Sequence, residues 1–115
     1  MSETITLRLP YPPQMNHLYT VARGRKILSA KGREYKARVQ YHCFAVRSKL
    51  EGNVSVTLRA YRPRKAGDLD NIFKVVLDAL TGHVWHDDRQ VVELHAYRMD
   101  DKNDPRVEIE IRETE

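Results

Sequence analysis

The sequence predicts a single α+β domain with a mixed β-sheet and two helices packed on it. The chain has 115 residues, which is the size of one domain. Its content of 41% hydrophobic and 31% charged residues is that of a globular protein. Stretches that alternate apolar and polar residues surround two stretches of helical periodicity. We therefore expect one domain over residues 1–115, in the order β, short hairpin, α, β, α, β, β.

The first half of the chain is predicted to hold a strand, a hairpin and a long helix. Apolar and polar residues alternate from Thr4 to Leu9, as in a half-buried strand. A short hairpin is predicted around Ala22–Arg25, where Gly24 takes the strained turn position. Ser29 is a suitable N-cap for a helix from Ala30 to Leu50, whose apolar residues recur every three or four positions.

The second half is predicted to alternate strands with one more helix. Val54 to Ala60 alternates as a strand, and a strongly apolar helix follows from Asp70 to Leu80 until Gly82 ends it. Two further strands are predicted around Val92–Ala96 and Val107–Ile111. We expect these last two strands to pair with each other as a hairpin.

An acidic stretch at the start of the second helix is the clearest chemical signal. Residues i and i+2 of a helix point to nearly opposite sides, so Asp68 and Asp70 share a ligand only if Asp68 is still extended. The alternative is that one of them is merely an N-cap. Lys74 lies four residues after Asp70 on the same helix face. It is either half of a surface ion pair or a cation that holds a phosphate.

A second acidic pair, Asp87 and Asp88, follows the helix. Leu80 lies about 15 Å along the helix from Asp70, and the segment from Leu80 to Asp88 reaches roughly 26 Å when extended. Asp88 therefore returns to Asp70 within one chain if the loop runs antiparallel to the helix. Otherwise it meets a site in a partner subunit, and the sequence does not decide between the two.

The carboxylates predict a metal site of hard oxygen ligands. Asp68, Asp70 and Asp88 suit Mg²⁺ or Mn²⁺ rather than zinc, and without a cation they would repel one another. Such a site points to metal-assisted hydrolysis of a phosphodiester. We interpret the nearby His83 and His86 as loop histidines rather than ligands.

The charge distribution favours a nucleic-acid partner. The net charge is +4, from 20 Lys and Arg against 16 Asp and Glu. Each of two basic clusters, taken alone, reads as solvated loop charge, but beside a carboxylate cluster they favour a DNA surface around the metal. No apolar run is long enough to span a bilayer and no signal peptide is present, so we expect no membrane partner and a cytoplasmic location. The two clusters comprise Arg23, Arg25 and Lys26, and Arg62, Arg64 and Lys65.

Several motifs match one known family over nearly the whole chain. They include Leu9-Pro10-Tyr11-Pro12-Pro13, Asp68-Leu69-Asp70-Asn71 with Lys74, Asp78-Ala79-Leu80-Thr81, and Trp85-x-Asp87-Asp88-x-Gln90-Val91-Val92. On these motifs the chain resembles the RusA family of Holliday-junction resolvases, small endonucleases of bacteria and prophages. His86 departs from the pattern, because family members carry an apolar residue at that position.

The resemblance implies a homodimer that binds four-way DNA junctions and makes paired nicks with Mg²⁺, in recombination and repair. It implies that Asp68, Asp70 and Asp88 are metal-binding catalytic carboxylates and that Lys74 is a catalytic cation. Asp87 matches an additional acidic position. Two alternatives stay open: a non-catalytic DNA-binding module, and a metal-dependent nuclease that acts on other branched DNA.

Overall fold

A computed structural model of the chain describes residues 4–64 and 69–114, with the side chains of residues 15, 16 and 70 left out. Lys65, Gly67 and Asp68 therefore lie outside the described residues. Short 3₁₀ turns follow the second helix and precede the fifth strand. The described elements, in chain order, are β1 (Thr4–Pro10), α1 (Met15–Leu18), β2 (Tyr19–Ala22), β3 (Arg25–Leu28), α2 (Ala30–His42), β4 (Val54–Arg62), α3 (Leu69–Leu80), β5 (Val91–Asp100) and β6 (Arg106–Glu113).

The main sheet has four strands in the order β1-β6-β4-β5. β6 is antiparallel to both β1 and β4, whereas β5 is parallel to β4. The prediction of a mixed sheet is confirmed. The prediction that the last two strands form a hairpin is wrong, because β6 lies on the other side of β4. α3 is the crossover connection between β4 and β5. β5 therefore runs in the same direction as β4 and pairs with it as a parallel strand.

The helices α2 and α3 cover one face of the sheet, and the hydrophobic core lies between this face and the two helices. Val54, Val56 and Leu58 of β4 are fully buried, as expected of a strand with neighbours on both sides. Side chains of the opposite face are largely polar, since alternate residues of a strand point to opposite faces. The remaining core residues include Leu7, Leu9, Tyr35, Val39, Ile72, Val76, Ala79, Leu80, Trp85, Val107, Ile109 and Ile111.

α2 begins as predicted but ends earlier. The hydroxyl oxygen of Ser29 accepts a hydrogen bond from the Gly32 backbone N–H at 3.0 Å, which confirms the N-cap. The helix stops at His42 rather than at Leu50. The backbone N–H of Leu50 instead donates to the Val84 carbonyl at 2.8 Å. The last residue of the predicted helix is therefore held by a tertiary hydrogen bond instead of a helical one. The apolar residues of this segment still pack against the core.

The predicted hairpin is present as β2 and β3, paired from Tyr19↔Leu28 to Ala22↔Arg25. Arg23 and Gly24 take positive φ angles of 53° and 75°, as a two-residue I′ turn requires at both central positions. None of the helices within the described ranges is long and apolar enough to cross a membrane.

Candidate active site

The loop after α3 is fixed to the core by one aromatic residue. Trp85 is completely buried, and its indole N–H donates to the Thr81 hydroxyl oxygen at 3.0 Å. That hydroxyl in turn donates to the Leu77 carbonyl at 2.8 Å, one helical turn earlier. Gly82, with a φ of 90°, allows the chain to reverse after the helix. Trp85 is therefore a core residue that sets where the following acidic residues begin.

Gln90 fixes the other side of the same loop through four hydrogen bonds. Its amide oxygen accepts from the backbone N–H groups of His86 at 2.7 Å and Asp87 at 3.0 Å. Its amide nitrogen donates to the carbonyls of Leu50 and Gly52, both at 2.8 Å. Because every polar atom of the amide is used, this side chain ties the loop to the segment that precedes β4.

Asp87 is the N-cap of the 3₁₀ turn that carries Asp88. Its carboxylate accepts a hydrogen bond from the Arg89 backbone N–H at 2.9 Å and lies 3.4 Å from the Arg89 guanidinium. The pKa of Asp87 is lowered, first by this backbone hydrogen bond, then by the Arg89 side chain and by a hydrogen bond with Asp88. The carboxylate that the sequence marked as an additional acid therefore has a clear structural role in shaping the loop.

Asp88 itself is exposed and lies at the edge of a cleft of about 390 Å³ between α2, α3 and the hairpin. We call this the Asp88 cleft; its polar lining residues are Tyr19, Tyr35, Lys36, Asp78, Thr81 and Asp88. Asp78 and Lys36 were not among the predicted site residues. Asp78 lies four residues after Lys74 and eight after Asp70. This helical spacing is the sequence signal that could have identified it.

Of the other predicted metal ligands, Asp68 lies outside the described residues. Asp70 belongs to the first turn of α3, and Lys74 is exposed one turn later. Asp88 shares its cleft with Asp78 and Thr81, which lie at the far end of α3. Eleven residues separate Asp70 from Thr81, or about 16 Å along the axis. In the part of the chain that the structure describes, no group of three or more His, Cys, Asp or Glu residues is close enough to hold a metal.

The predicted DNA-binding residues differ in their surroundings. Arg23, Arg25 and Lys26 are exposed on the hairpin, and Arg64 is exposed after β4. Arg62 is buried instead, and its Nη2 and Nε lie 3.0 and 3.1 Å from the Asp100 carboxylate at the end of β5. DNA contact by these residues stays a prediction, but the Arg62 guanidinium is already bound within the protein.

Comparison with known proteins identifies the family. The family model described as Endodeoxyribonuclease RusA matches residues 10–112. This chain belongs to the RusA family. Proteins named crossover junction endodeoxyribonuclease RusA share 35% identity with it in Escherichia coli (strain K12) and 34% in Shigella sonnei (strain Ss046). A protein of the same name in Enterobacteria phage 82 is 34% identical. Each comparison covers 96% of this chain and 95% of the relative.

The RusA membership confirms the resemblance that the sequence motifs carry, and the matched range contains every predicted site residue. The matched range also includes the loop after α3. Within this loop, Trp85 and Gln90 belong to the quoted motif. The structure shows that their hydrogen bonds fix the two sides of the loop. They hold the position from which Asp88 projects into solvent.

Proposed function

We propose that this chain is a Mg²⁺-dependent, structure-specific endodeoxyribonuclease that resolves four-way DNA junctions by paired symmetric nicks. The proposal rests on the near-complete match to proteins named crossover junction endodeoxyribonuclease. The observation that carries it in the fold is Asp88, an exposed carboxylate on a loop fixed from both sides. We place its activity in recombination and repair, in the cytoplasm of a bacterial host.

Asp68, Asp70 and Asp88 are the residues that would hold the metal. The donor types fit, because carboxylate oxygens suit Mg²⁺ or Mn²⁺. Since Asp88 and Asp70 lie near opposite ends of α3 within one chain, the proposed site takes its Asp88 from the partner subunit. A divalent ion bound there supplies an acidified water and neutralises charge in the transition state. Lys74, exposed one turn into α3, is suited to orient the phosphate as a compact point charge.

The remaining acid, Asp87, acts in this proposal by holding the turn that presents Asp88. Asp87 and Gln90 form a capping box: the Asp87 carboxylate accepts from the Gln90 backbone N–H, and the Gln90 amide oxygen accepts from the Asp87 backbone N–H. The hydrogen bond from the Arg89 backbone N–H, with smaller contributions from the Arg89 side chain and Asp88, lowers the pKa of Asp87 further below neutral pH, so its carboxylate is ionised there. It therefore adds negative potential beside the proposed metal site.

Two nicks at symmetric positions require two active sites related by a twofold axis, which a homodimer provides. The exposed basic side chains of Arg23, Arg25 and Lys26 on the hairpin, together with Arg64 and Lys65 after β4, are the proposed contacts to DNA phosphates. Arg62 is left out of this set, because its buried guanidinium is bound to the Asp100 carboxylate.

The test is cleavage of a four-way junction, a flap and a linear duplex by one preparation, with and without Mg²⁺. We expect nicking of the four-way junction only with the metal. Asp70→Asn and Asp88→Asn should each still bind the junction but lose at least about a hundredfold in nicking rate, since an amide is a poorer ligand for Mg²⁺ than a carboxylate.

Glu34→Gln is the matched control, because Glu34 is an exposed acid on α2 away from the loop. It should cut at the wild-type rate. Near wild-type nicking by Asp70→Asn and Asp88→Asn would remove the proposed site. Equal cutting of all three DNA substrates would instead leave a nuclease without junction specificity.

A further inference from the structure

An exposed aromatic cluster lies where α2 ends. Tyr41 belongs to the last turn of that helix and Phe44 to the 3₁₀ turn that follows it. The two side chains are 66% and 85% exposed, and their rings pack edge to face with centroids 6.2 Å apart. The imidazole of His42 also packs edge to face on Tyr41, at 6.0 Å. Large apolar side chains that gather on a surface in this way mark a site of interaction. We call these three residues the α2 aromatic cluster.

The α2 aromatic cluster protrudes from the surface. Ala37 and Ala45 lie four residues before and after Tyr41, and both are exposed. Because their side chains are single methyl groups, they leave the tyrosine ring uncovered. A side chain as exposed as Phe44 lies in no groove, so the cluster lacks the concave shape with which proteins bind an amphipathic helix. Its rings are instead free for a flat group to stack on them.

The sequence around the α2 aromatic cluster is basic. Residues 35–50 contain four Lys or Arg and no Asp or Glu. Arg38 precedes Tyr41 by one helical turn, Arg47 follows Phe44 by three residues, and both arginines are exposed. Within the described residues, neither guanidinium is paired with a carboxylate. The partner that fits this surface therefore carries negative charge beside its flat groups.

We propose that the α2 aromatic cluster binds single-stranded DNA, with unpaired bases stacked on the rings of Tyr41 and Phe44 and the adjoining phosphates held by Arg38 and Arg47. Proteins that bind single strands without regard to sequence combine aromatic rings with cations along the backbone in this way. The site is separate from the proposed nuclease site, whose substrate is a junction of paired arms. Only the choice of DNA over RNA rests on the proposed function.

An acidic protein segment is the competing partner, and the shape of the cluster argues against it. Protein partners gain most of their affinity from aromatic anchors that fill well-packed pockets, and a protruding ring offers no pocket to an incoming peptide. A nucleobase is flat on both faces, so it covers an exposed ring by stacking on it. An intact duplex fits less well, because its bases are already stacked on one another and must be unstacked first.

The α2 aromatic cluster and the Asp88 cleft use different faces of the same helix. Gly32, Tyr35 and Lys36 of α2 line the cleft. Tyr41 lies five residues after Lys36, which is about 7.5 Å further along the axis and more than a third of a turn around it. A single strand bound to the cluster therefore leaves the cleft open, and we expect it not to compete with nicking of a junction.

Fluorescence anisotropy of a labelled oligothymidylate with the full chain tests the proposal. Tyr41→Ala and Phe44→Ala should each weaken binding about tenfold without changing the slope of log affinity against log salt, because each removes a ring and no charge. Arg38→Ala and Arg47→Ala should instead each reduce that slope by about 0.7. Phe44→Trp should keep the affinity, and a base stacked on the new indole should quench its emission. Tyr97→Ala is the matched control, since it removes a half-exposed ring from β5 and should bind as the parent does.

Binding results of several kinds would overturn the inference. The first is a parent chain that does not bind the oligothymidylate, or a double variant with Tyr41→Ala and Phe44→Ala that binds as tightly as the parent. The second is an equal loss of affinity in Tyr97→Ala, which would mean that the rings at the end of α2 have no special part. Tighter binding of an oligouridylate would assign the cluster to RNA, and tighter binding of a polyglutamate peptide would assign it to an acidic protein.

Nicking of a four-way junction separates this inference from the proposed function. The double variant should nick the junction at the parent's rate, with or without added oligothymidylate. Nicking that falls together with oligothymidylate affinity would make the α2 aromatic cluster part of the nuclease site and overturn its separate role. A parent chain that binds the oligothymidylate through these rings but nicks no junction would support the inference and contradict the proposed function.

Discussion

Gln90 is the residue whose loss should affect the active-site loop most directly. All of its hydrogen-bonding atoms are used, two as acceptor contacts to the loop and two as donor contacts to the segment before β4. We expect Gln90→Ala to lower the free energy of unfolding by about 1–3 kcal/mol, because buried or half-buried polar groups lose their partners. Junction nicking should fall further than junction binding. Urea unfolding and paired binding and cleavage assays measure both effects.

Gln14→Ala is the matched control for this change. Gln14 is exposed, and its side chain makes no capping hydrogen bond at the start of α1. It should unfold at the wild-type urea concentration. A Gln90→Ala protein that cuts at the wild-type rate would show that the loop keeps its shape without the amide.

Asp87 should give the loop a measurable dependence on pH. Hydrogen bonds from Arg89 lower its pKa in the folded protein below the ordinary value of 3.8. The ionised form is thus favoured by folding. The resulting stability is fully present above pH 3.8 and is lost as the pH falls through the lower, folded-state pKa. Asp87→Asn should therefore be less stable than the parent at neutral pH, and the two should converge in strong acid.

Urea unfolding between neutral pH and pH 2 measures this convergence. Asp104→Asn serves as a comparison, since Asp104 also pairs with an arginine, Arg8, but lies in the turn before β6. A stability difference between the parent and Asp87→Asn that stays constant over the whole range would contradict the capping role.

The sequence revealed Asp88 but not the residues that position it. The Gln90 side chain donates hydrogen bonds to the carbonyls of Leu50 and Gly52, about forty positions away in the sequence. No local residue spacing predicts such a contact. Trp85 is completely buried, as large aromatic side chains usually are. Its hydrogen bond to Thr81 needed the fold, since the two residues are brought together by the reversal at Gly82.

At the scale of elements, Gly32 allows α2 to approach the hairpin and α1. A Cβ atom at this position would lie 2.5 Å from the Leu18 carbonyl oxygen and 2.7 Å from a Leu28 methyl group. Alanine ordinarily favours a helix over glycine by about 1 kcal/mol. We expect Gly32→Ala to destabilise the protein nonetheless, by about 1–3 kcal/mol, because the backbone contact leaves no room for relaxation.

Gly52→Ala provides the matched comparison in thermal or urea unfolding. Its added Cβ would meet only the Glu113 carboxylate at 3.8 Å, an ordinary contact. It should change the free energy of unfolding by a few tenths of a kcal/mol at most. Equal stability of the two variants would mean that α2 is able to move away from the hairpin at little cost.

Local signals were sufficient where an element is fixed by its own sequence. The Ser29 cap and the Arg23-Gly24 turn were both found, because side-chain capping and positive φ angles depend on neighbouring residues. The end of α2 was missed, because the Leu50 backbone bonds to Val84 in a distant loop. The apolar spacing up to Leu50 was real, but it reports burial rather than helical geometry.

At the scale of the whole molecule, the excess of positive charge should govern DNA affinity. We expect junction affinity to fall steeply with added salt, and Arg23→Ala or Arg25→Ala each to reduce the slope of log affinity against log salt by about 1. Fluorescence anisotropy with a labelled junction measures the slope. Lys49→Ala, an exposed lysine after α2, is the control. Slopes that are identical in all these proteins would place DNA on another surface.

The class of fold was predictable from the sequence, but the strand order was not. β5 and β6 show the same alternation of apolar and polar residues, and neither sequence indicates which strand it pairs with. The decisive contacts are Leu58↔Ala96 on one side of β4 and Leu58↔Ile109 on the other. The convergence of Asp68, Asp70 and Asp88 stays a prediction.

The central place of β6 also bears on how the protein is made. β6 lies between β1 and β4, and Leu7 pairs with Ile109, a residue made about a hundred positions later. On the ribosome, both neighbouring strands are therefore synthesised well before the strand that joins them. Their apolar faces stay unpaired until β6 leaves the exit tunnel, so we expect these long-range contacts to slow folding and to leave apolar surface exposed during synthesis.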